Sequence, residues 1–294
     1  NLAWRNSINF YAKVHGCAVL YGNQPERVMK EKLNRCLERV ERRESDTDAT
    51  LLHIKPSSAS ATPVRRALLL VGSPRMQKSS SSSLGSYLFE QMNLRGVETE
   101  TIYLYKSITT VERMKALRDA VDSADLVVLA FPLYVDTLPA PVISVLEGIV
   151  THCKGKGRQK RFSAIVNCGF PEAYQNDNAI AVCAEFARSA GFEWMGGLSL
   201  GAGEGMVHAE PLDKLGRQGA PLRKALEVAA VELAAGEPVS DKAKELLTRP
   251  LMPVWMYKLG GTVGWKIKSR KYGTQKLLKE RPYQKATALS QCKS

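Results

Sequence analysis

Three short stretches of this chain carry residue types and spacings suited to chemistry. In the first, the apolar run ALLLV (67–71) meets Gly-Ser-Pro-Arg and then five consecutive serines, Ser79 to Ser83. Hydroxyls at a helix start, beside free backbone N–H groups and the positive end of the helix dipole, suit a phosphate. Three readings stand beside one another here: a phosphate cradle, a helix N-cap with a solvated surface, and a modified or linking segment. Context favours the cradle, because a flexible linker joins domains, whereas these serines lie between a strand-like run and a segment with Leu84, Tyr87, Leu88 and Met92 at helical spacing. An N-cap accounts for one serine and not for five. The nucleotide P-loop pattern G-x-x-x-x-G-K-[ST] is absent from the chain, and no G-x-G-x-x-G follows the apolar run. A loop built of hydroxyls suits a monophosphate held without a metal.

The second stretch is FPLYVDTLPAP, 131–141. Its prolines stiffen a loop that presents backbone N–H groups and one aromatic side chain, Tyr134. The alternative is an ordinary loop in which Pro139 and Pro141 merely start the next helix. The third is NCGFPEAYQND, 167–177, where Gly169 permits close backbone approach and Asn167 and Glu172 offer polar groups. Cys168 is disfavoured as a nucleophile: no His has an obvious claim to activate it, and Tyr174 stands where a C-x-x-x-x-x-R phosphatase would need arginine. GAGEGM, 201–206, does not match the dinucleotide fingerprint and reads as a flexible turn beside the pocket.

These stretches need elements to position them, and the hydrophobic periodicity supplies an alternating set. Strands are expected at 67–72, 97–105, 125–131, 161–170 and 192–201, with helices at about 81–94, 111–123, from 141 onward, and 172–190. Alternation of this kind implies an α/β domain, a doubly wound five-stranded parallel sheet with helices on both faces. Ligands of such sheets lie at the carboxyl ends of the strands, where all three stretches fall.

The flanks differ from this core. Residues 1–62 read as an N-terminal extension with a helix at about 25–43 and a Pro/Ser/Ala/Thr linker; 63–237 as the α/β domain; and 238–294 as a basic, aromatic C-terminal extension. The formal net charge of +13 is concentrated there, with ten Lys and Arg from residue 250 onward against Glu280 alone. Trp255, Tyr257 and Trp265 interleave with those cations. They suit a lid or dimer contact packed on the domain, which is the favoured reading, and also a membrane surface; nucleic acid is the least favoured partner. The six cysteines form no C-x-x-C pair, so no metal site is expected. No stretch is long and apolar enough for a membrane span, and the N-terminus lacks the marks of a secretory signal; a cytoplasmic protein is the expectation.

Taken together, GSPR…KSSSS…L, FPLYVDTLPAPVISVLE and NCGFPE resemble the flavodoxin-like family of NAD(P)H-dependent FMN reductases, which includes quinone-reducing oxidoreductases; the likeness covers about residues 66–201. The resemblance implies a flavodoxin-like fold and FMN as cofactor, with NADPH or NADH as co-substrate. It also implies that Ser73, Arg75, Ser79, Ser80 and Ser81 bind the FMN phosphate. Pro132, Leu133, Tyr134 and Val135 would lie along the isoalloxazine ring with backbone groups reaching its polar edge, and Asn167, Cys168 and Gly169 would close the other side. Many relatives carry Gly-Asn-Thr or Ser-Thr-Ser where this chain has Ser79 to Ser81, which keeps the hydroxyls and leaves the individual contacts open. Tyr134 is the candidate catalytic, substrate-facing side chain. The activity implied is hydride transfer from the nicotinamide to flavin and on to a small-molecule acceptor, a quinone or free flavin, in a homo-oligomer. A non-enzymatic flavodoxin-type electron carrier is the alternative, although such carriers are small and acidic and this chain is long and basic. A membrane-surface adaptor acting through the tail is the other.

Overall fold

The computed structural model describes residues 62–153, 160–250 and 252–280. The N-terminal helix expected at about 25–43 lies outside them. The chain enters the sheet with β1 (Arg66–Val71), turns into α1 (Ser80–Asn93), and returns as β2 (Glu98–Tyr103). A single turn, α2 (Leu104–Ser107), precedes α3 (Val111–Ser123), β3 (Leu126–Pro132) and α4 (Ala140–Cys153). Then come β4 (Lys160–Asn167), a 3-10 turn at Ala173–Asn176, α5 (Asp177–Ala190) and β5 (Phe192–Leu200). The short α6 (Gly203–Val207) and a 3-10 turn lead to α7 (Ala220–Ala235) and α8 (Asp241–Thr248).

All strand pairs are parallel, in the order β2-β1-β3-β4-β5. From β1 the chain goes outward to β2, then crosses back to β3 on the other side of β1. The crevice at the carboxyl ends of β1 and β3 is therefore the switch point where open sheets of this kind hold ligands. β1 and β3 are buried almost throughout, which is why their sequences, RALLLV and LVVLAFP, are runs of apolar residues and not alternations.

Leu68, Leu70, Val127, Leu129, Phe131, Phe162 and Val166 pack against Leu117 and Val121 of α3, Val142, Val145, Leu146 and Ile149 of α4, and Val182 and Phe186 of α5. The opposite face receives α1, held very close: a Cβ on Gly85 would come 2.8 Å and 2.9 Å from the two methyls of Leu69 and 3.3 Å from Ala130 Cβ. That closeness fixes where the N-terminus of α1 stands. α7 covers α1 with the buried Leu222, Ala225, Leu226, Ala229 and Leu233, and ends on Gly236 at φ +80°.

α8 packs on α7 and β5, and the compact unit runs through Arg249. Residues 250–294 form a second unit, in which the described elements are α9 (Val254–Lys271) and a 3-10 turn at Gln275–Leu277. Among the described residues no helix is long and apolar enough to cross a membrane.

Candidate functional site

The serines stand at the switch point, and each has its own task. Ser79 is the N-cap of α1: its Oγ accepts from the Ser82 N–H at 3.2 Å and donates to the Met76 carbonyl at 2.6 Å. Its hydroxyl is thus spent on shaping the loop, with Met76 at φ +50°. Ser81 Oγ accepts from Asn167 Nδ2 at 2.7 Å. Ser80 Oγ is fully buried and has no hydrogen-bond partner among the described residues. The backbone N–H groups of Ser80 and Ser81 likewise find no acceptor among the described residues. Ser73 is buried at the mouth of the same loop. A buried, unpartnered hydroxyl beside two free helix N–H groups is costly unless a ligand completes it.

Asn167, at the end of β4, is the tie of the site. Besides Ser81 its Nδ2 donates to the Phe131 carbonyl at 3.2 Å, and its own carbonyl accepts from Leu133 N at 2.8 Å. One buried side chain therefore links the ends of β3 and β4 to the start of α1. Gly203 presses on it, since a Cβ there would lie 2.8 Å from Asn167 Cβ.

The expected strand at 161–170 ends at Asn167, which leaves Cys168, Gly169 and Phe170 to form the loop. Cys168 is buried, and burial pushes its thiol pKa upward. Its Sγ is 3.5 Å from the Phe170 carbonyl. This is the environment of an inert packing thiol and not of a nucleophile.

At the end of β3, Pro132 and Leu133 are half-buried, and Tyr134 opens a tight two-residue hairpin. Tyr134 N donates to Thr137 O at 2.9 Å and Thr137 N to Tyr134 O at 3.2 Å. The two tip residues, Val135 and Asp136, have φ of +50° and +57°. Such a turn favours Asn-Gly, and a β-branched valine in it is strained. Asn178 Nδ2 holds the tip from α5 by donating to the Asp136 carbonyl at 2.9 Å. The Tyr134 side chain is 44% exposed and Val135 95% exposed. The backbone groups of Tyr134 are used by the turn, whereas the N–H groups of Val135 and Asp136 have no partner among the described residues.

Two residues of the site were not singled out in the sequence. GAGEGM is not a flexible turn: Ala202 (φ +56°) starts the helical turn α6, whose Glu204 binds the Arg75 guanidinium through both carboxylate oxygens, one contact at 2.7 Å. That pair raises the Arg75 pKa, and it bridges the serine loop to the end of β5. Any anion in the loop would therefore meet an Arg75 whose charge is already shared with a carboxylate. Tyr105 in α2 is the second; burial pushes its phenol pKa up, and the Tyr134 phenol adds to the rise. The sequence places GAGEGM beside the pocket but singles out neither Glu204 nor Tyr105, because their partners are 129 and 29 positions away. Among the described residues no group of three or more His, Cys, Asp or Glu is placed to hold a metal.

A protein-family model described as a flavodoxin-like fold matches residues 65–196. No curated protein matches the chain. Among solved structures, an FMN-dependent NADH-azoreductase from Bacillus anthracis is 15% identical, with 57% of this chain and 99% of the other covered and a TM-score of 0.41. An NAD(P)H:quinone oxidoreductase from Methanothermobacter marburgensis is 14% identical, covering 55% of this chain and 96% of its own, with a TM-score of 0.42. A flavone reductase is 11% identical over 78% of this chain and 98% of the other, with a TM-score of 0.43. Over residues 65–196 the strand order and the family match agree on a flavodoxin-like fold.

Proposed function

We propose that this protein is an FMN-dependent NAD(P)H oxidoreductase, with the FMN phosphate bound at the start of α1 and the isoalloxazine ring lying between the 133–137 hairpin and the loop after Asn167. The observation that carries the reading is the buried, unpartnered Ser80 Oγ beside two free helix N–H groups at the switch point. A phosphate monoester matches that donor set: acceptor oxygens for the hydroxyl and N–H groups, with the helix dipole offsetting part of the charge. FMN, when bound, supplies the redox chemistry, taking a hydride from NADH or NADPH and passing two electrons to a small-molecule acceptor such as a quinone or free flavin.

The chain's own residues bind and orient. Ser80 and Ser81 donate to the phosphate; Ser79 shapes the loop from behind; Asn167 sets the distance between the phosphate end and the ring end. Val135 and Asp136 offer backbone N–H groups to the polar edge of the ring. Tyr134, half-exposed at the hairpin entrance, faces the acceptor. Cys168 stays a protonated wall residue. The reading places the enzyme in the cytoplasm as a homo-oligomer.

The test is a flavin absorbance spectrum of the purified protein, followed by steady-state NADH and NADPH oxidation with and without a quinone. Bound FMN with quinone-stimulated oxidation supports the reading. Bound FMN without oxidation indicates an electron carrier, and no flavin uptake removes the proposal.

A further inference from the structure

The tail unit has features that flavin chemistry does not use. α9 is 18 residues long, about 27 Å at helical rise. Trp255, Leu259, Val263 and Ile267 recur every fourth residue and so share one side of the helix, with Met256 beside them. All five are exposed, as are Trp265, Tyr272, Leu277 and Leu278. An apolar stripe of this kind left in water marks a binding surface.

The charge pattern selects the partner. Lys266, Lys268, Arg270 and Lys271 crowd the last turn and a half of α9, and Lys276 and Lys279 follow, with Glu280 the one acid among the described residues after Arg249. The first three turns carry no cation except Lys258, which lies off the stripe, whereas Lys266 and Arg270 lie on the stripe's own side at its C-terminal end. Lys268 Nζ sits 5.9 Å from the centre of the Trp265 ring, which lies on the other side of the helix from the stripe, so a second aromatic surface carries its own cation. Lysines with long apolar stems can bury those stems while the ammonium groups stay in water. The helix is not long and apolar enough to span a bilayer.

We propose that α9 and the turn after it dock on the surface of an anionic phospholipid bilayer, the stripe from Trp255 to Ile267 entering the boundary between headgroups and acyl chains and the lysines pairing with lipid phosphates and carboxylates. Charge complementarity decides between partners: a second copy of this tail would bring cations against cations, whereas an anionic leaflet brings the opposite sign over a continuous plane. Trp and Tyr rings suit that depth, apolar on their faces and polar at one edge. The consequence for the enzyme is a flavin site held at a membrane surface, where lipid-soluble acceptors such as quinones are concentrated. That consequence rests on the proposed flavin function; the docking itself does not.

The experiment uses the full chain, sedimented with vesicles of phosphatidylcholine alone or with one-third phosphatidylserine, at low and at half-molar salt. Binding is expected to the anionic vesicles only and to be lost at high salt. Changing Lys266, Lys268, Arg270 and Lys271 together to Gln should weaken it more than hundredfold. The pair Trp255→Ala and Trp265→Ala should weaken it about tenfold and abolish any blue shift of tryptophan emission. Equal binding to neutral vesicles, or no loss in the lysine variant, overturns the proposal. So does a concentration-dependent dimer lost on the tryptophan changes without vesicle binding, tighter binding to DNA than to vesicles, or a truncation at Arg249 that unfolds the remaining unit. Flavin content measured on the same samples separates failure of this docking from failure of the flavin reading.

Discussion

The serine loop and the 133–137 hairpin both face the switch point, and they are built on opposite principles. The serines at the start of α1 are buried, backed by Gly85 against Leu69 and tied by Asn167 to two other strand ends. The hairpin is exposed, closed by its own two backbone bonds, and strained at Val135. A group that holds a fixed anion can be part of the core, because the anion has one place to be. A group that meets changing partners has to stand in solvent, where little of the fold depends on it. Substitutions in the first region should couple ligand affinity to stability, and those in the second should separate activity from stability.

The largest effect expected is loss of FMN on changing Ser79, Ser80 and Ser81 together to Ala. Two charge-assisted hydrogen bonds at about 1.5–3 kcal/mol each predict a loss of at least a hundredfold by fluorescence titration. Because Ser79 is also the N-cap, a concurrent stability loss of about 1 kcal/mol is expected in urea unfolding. Full affinity in the triple variant would break the comparison at its first half. Next is Gly85→Ala, in which a single methyl must displace Leu69 or move α1; a loss of about 1–3 kcal/mol together with weaker FMN binding is expected. Stability loss with normal binding would uncouple the helix from the cradle.

How far this division could be read in advance follows from its physics. The central strands were legible because burial on both faces forces unbroken apolar runs, as in ALLLV and DLVVLAF. The serine loop was legible because five hydroxyls between a strand and a helix are more than capping alone requires. The separate tasks of Ser79, Ser80 and Ser81 were not, since consecutive serines look alike until the helix start fixes which one caps. α7 escaped because half of its buried face is alanine, Ala225, Ala229 and Ala230, beside Leu222, Leu226 and Leu233, and alanine contrasts weakly with the exposed side. Glu204 escaped because its meaning depends on Arg75, a contact made only when β5 lies at the far edge of the sheet.

The hairpin should respond in the other sense. Tyr134→Ala is expected to alter turnover or acceptor preference severalfold while costing less than about 1 kcal/mol of stability, measured by quinone kinetics beside urea unfolding. Val135→Gly is expected to stabilise by about 1 kcal/mol, because glycine accepts a positive φ that valine resists. A destabilised Val135→Gly protein would mean that the valine side chain is held by packing, and the contrast with Gly85→Ala would collapse.

The smallest effect concerns Cys168. Its pKa is raised by burial above that of the unfolded chain, so the neutral thiol is favoured in the fold. Its contribution to stability is complete below the unfolded thiol pKa and is lost as pH rises through the folded value, so alkaline solution should weaken the fold slightly and neutral solution not at all. Slow alkylation of Cys168 in the native protein at neutral pH, and rapid alkylation in urea, is the expected outcome by mass spectrometry. Fast native alkylation would make it a reactive group of the site.

The central claim is that the start of α1 binds a phosphate through Ser80, and riboflavin, which is FMN without its phosphate, isolates that contact. Titrating the purified, flavin-free protein and its Ser80→Ala variant with both ligands measures it most directly. The account predicts that the wild type prefers FMN by at least a hundredfold, and that the variant loses about tenfold or more of its FMN affinity while riboflavin binds as before. Equal binding of FMN and riboflavin by the wild type, or an unchanged preference in Ser80→Ala, would contradict it.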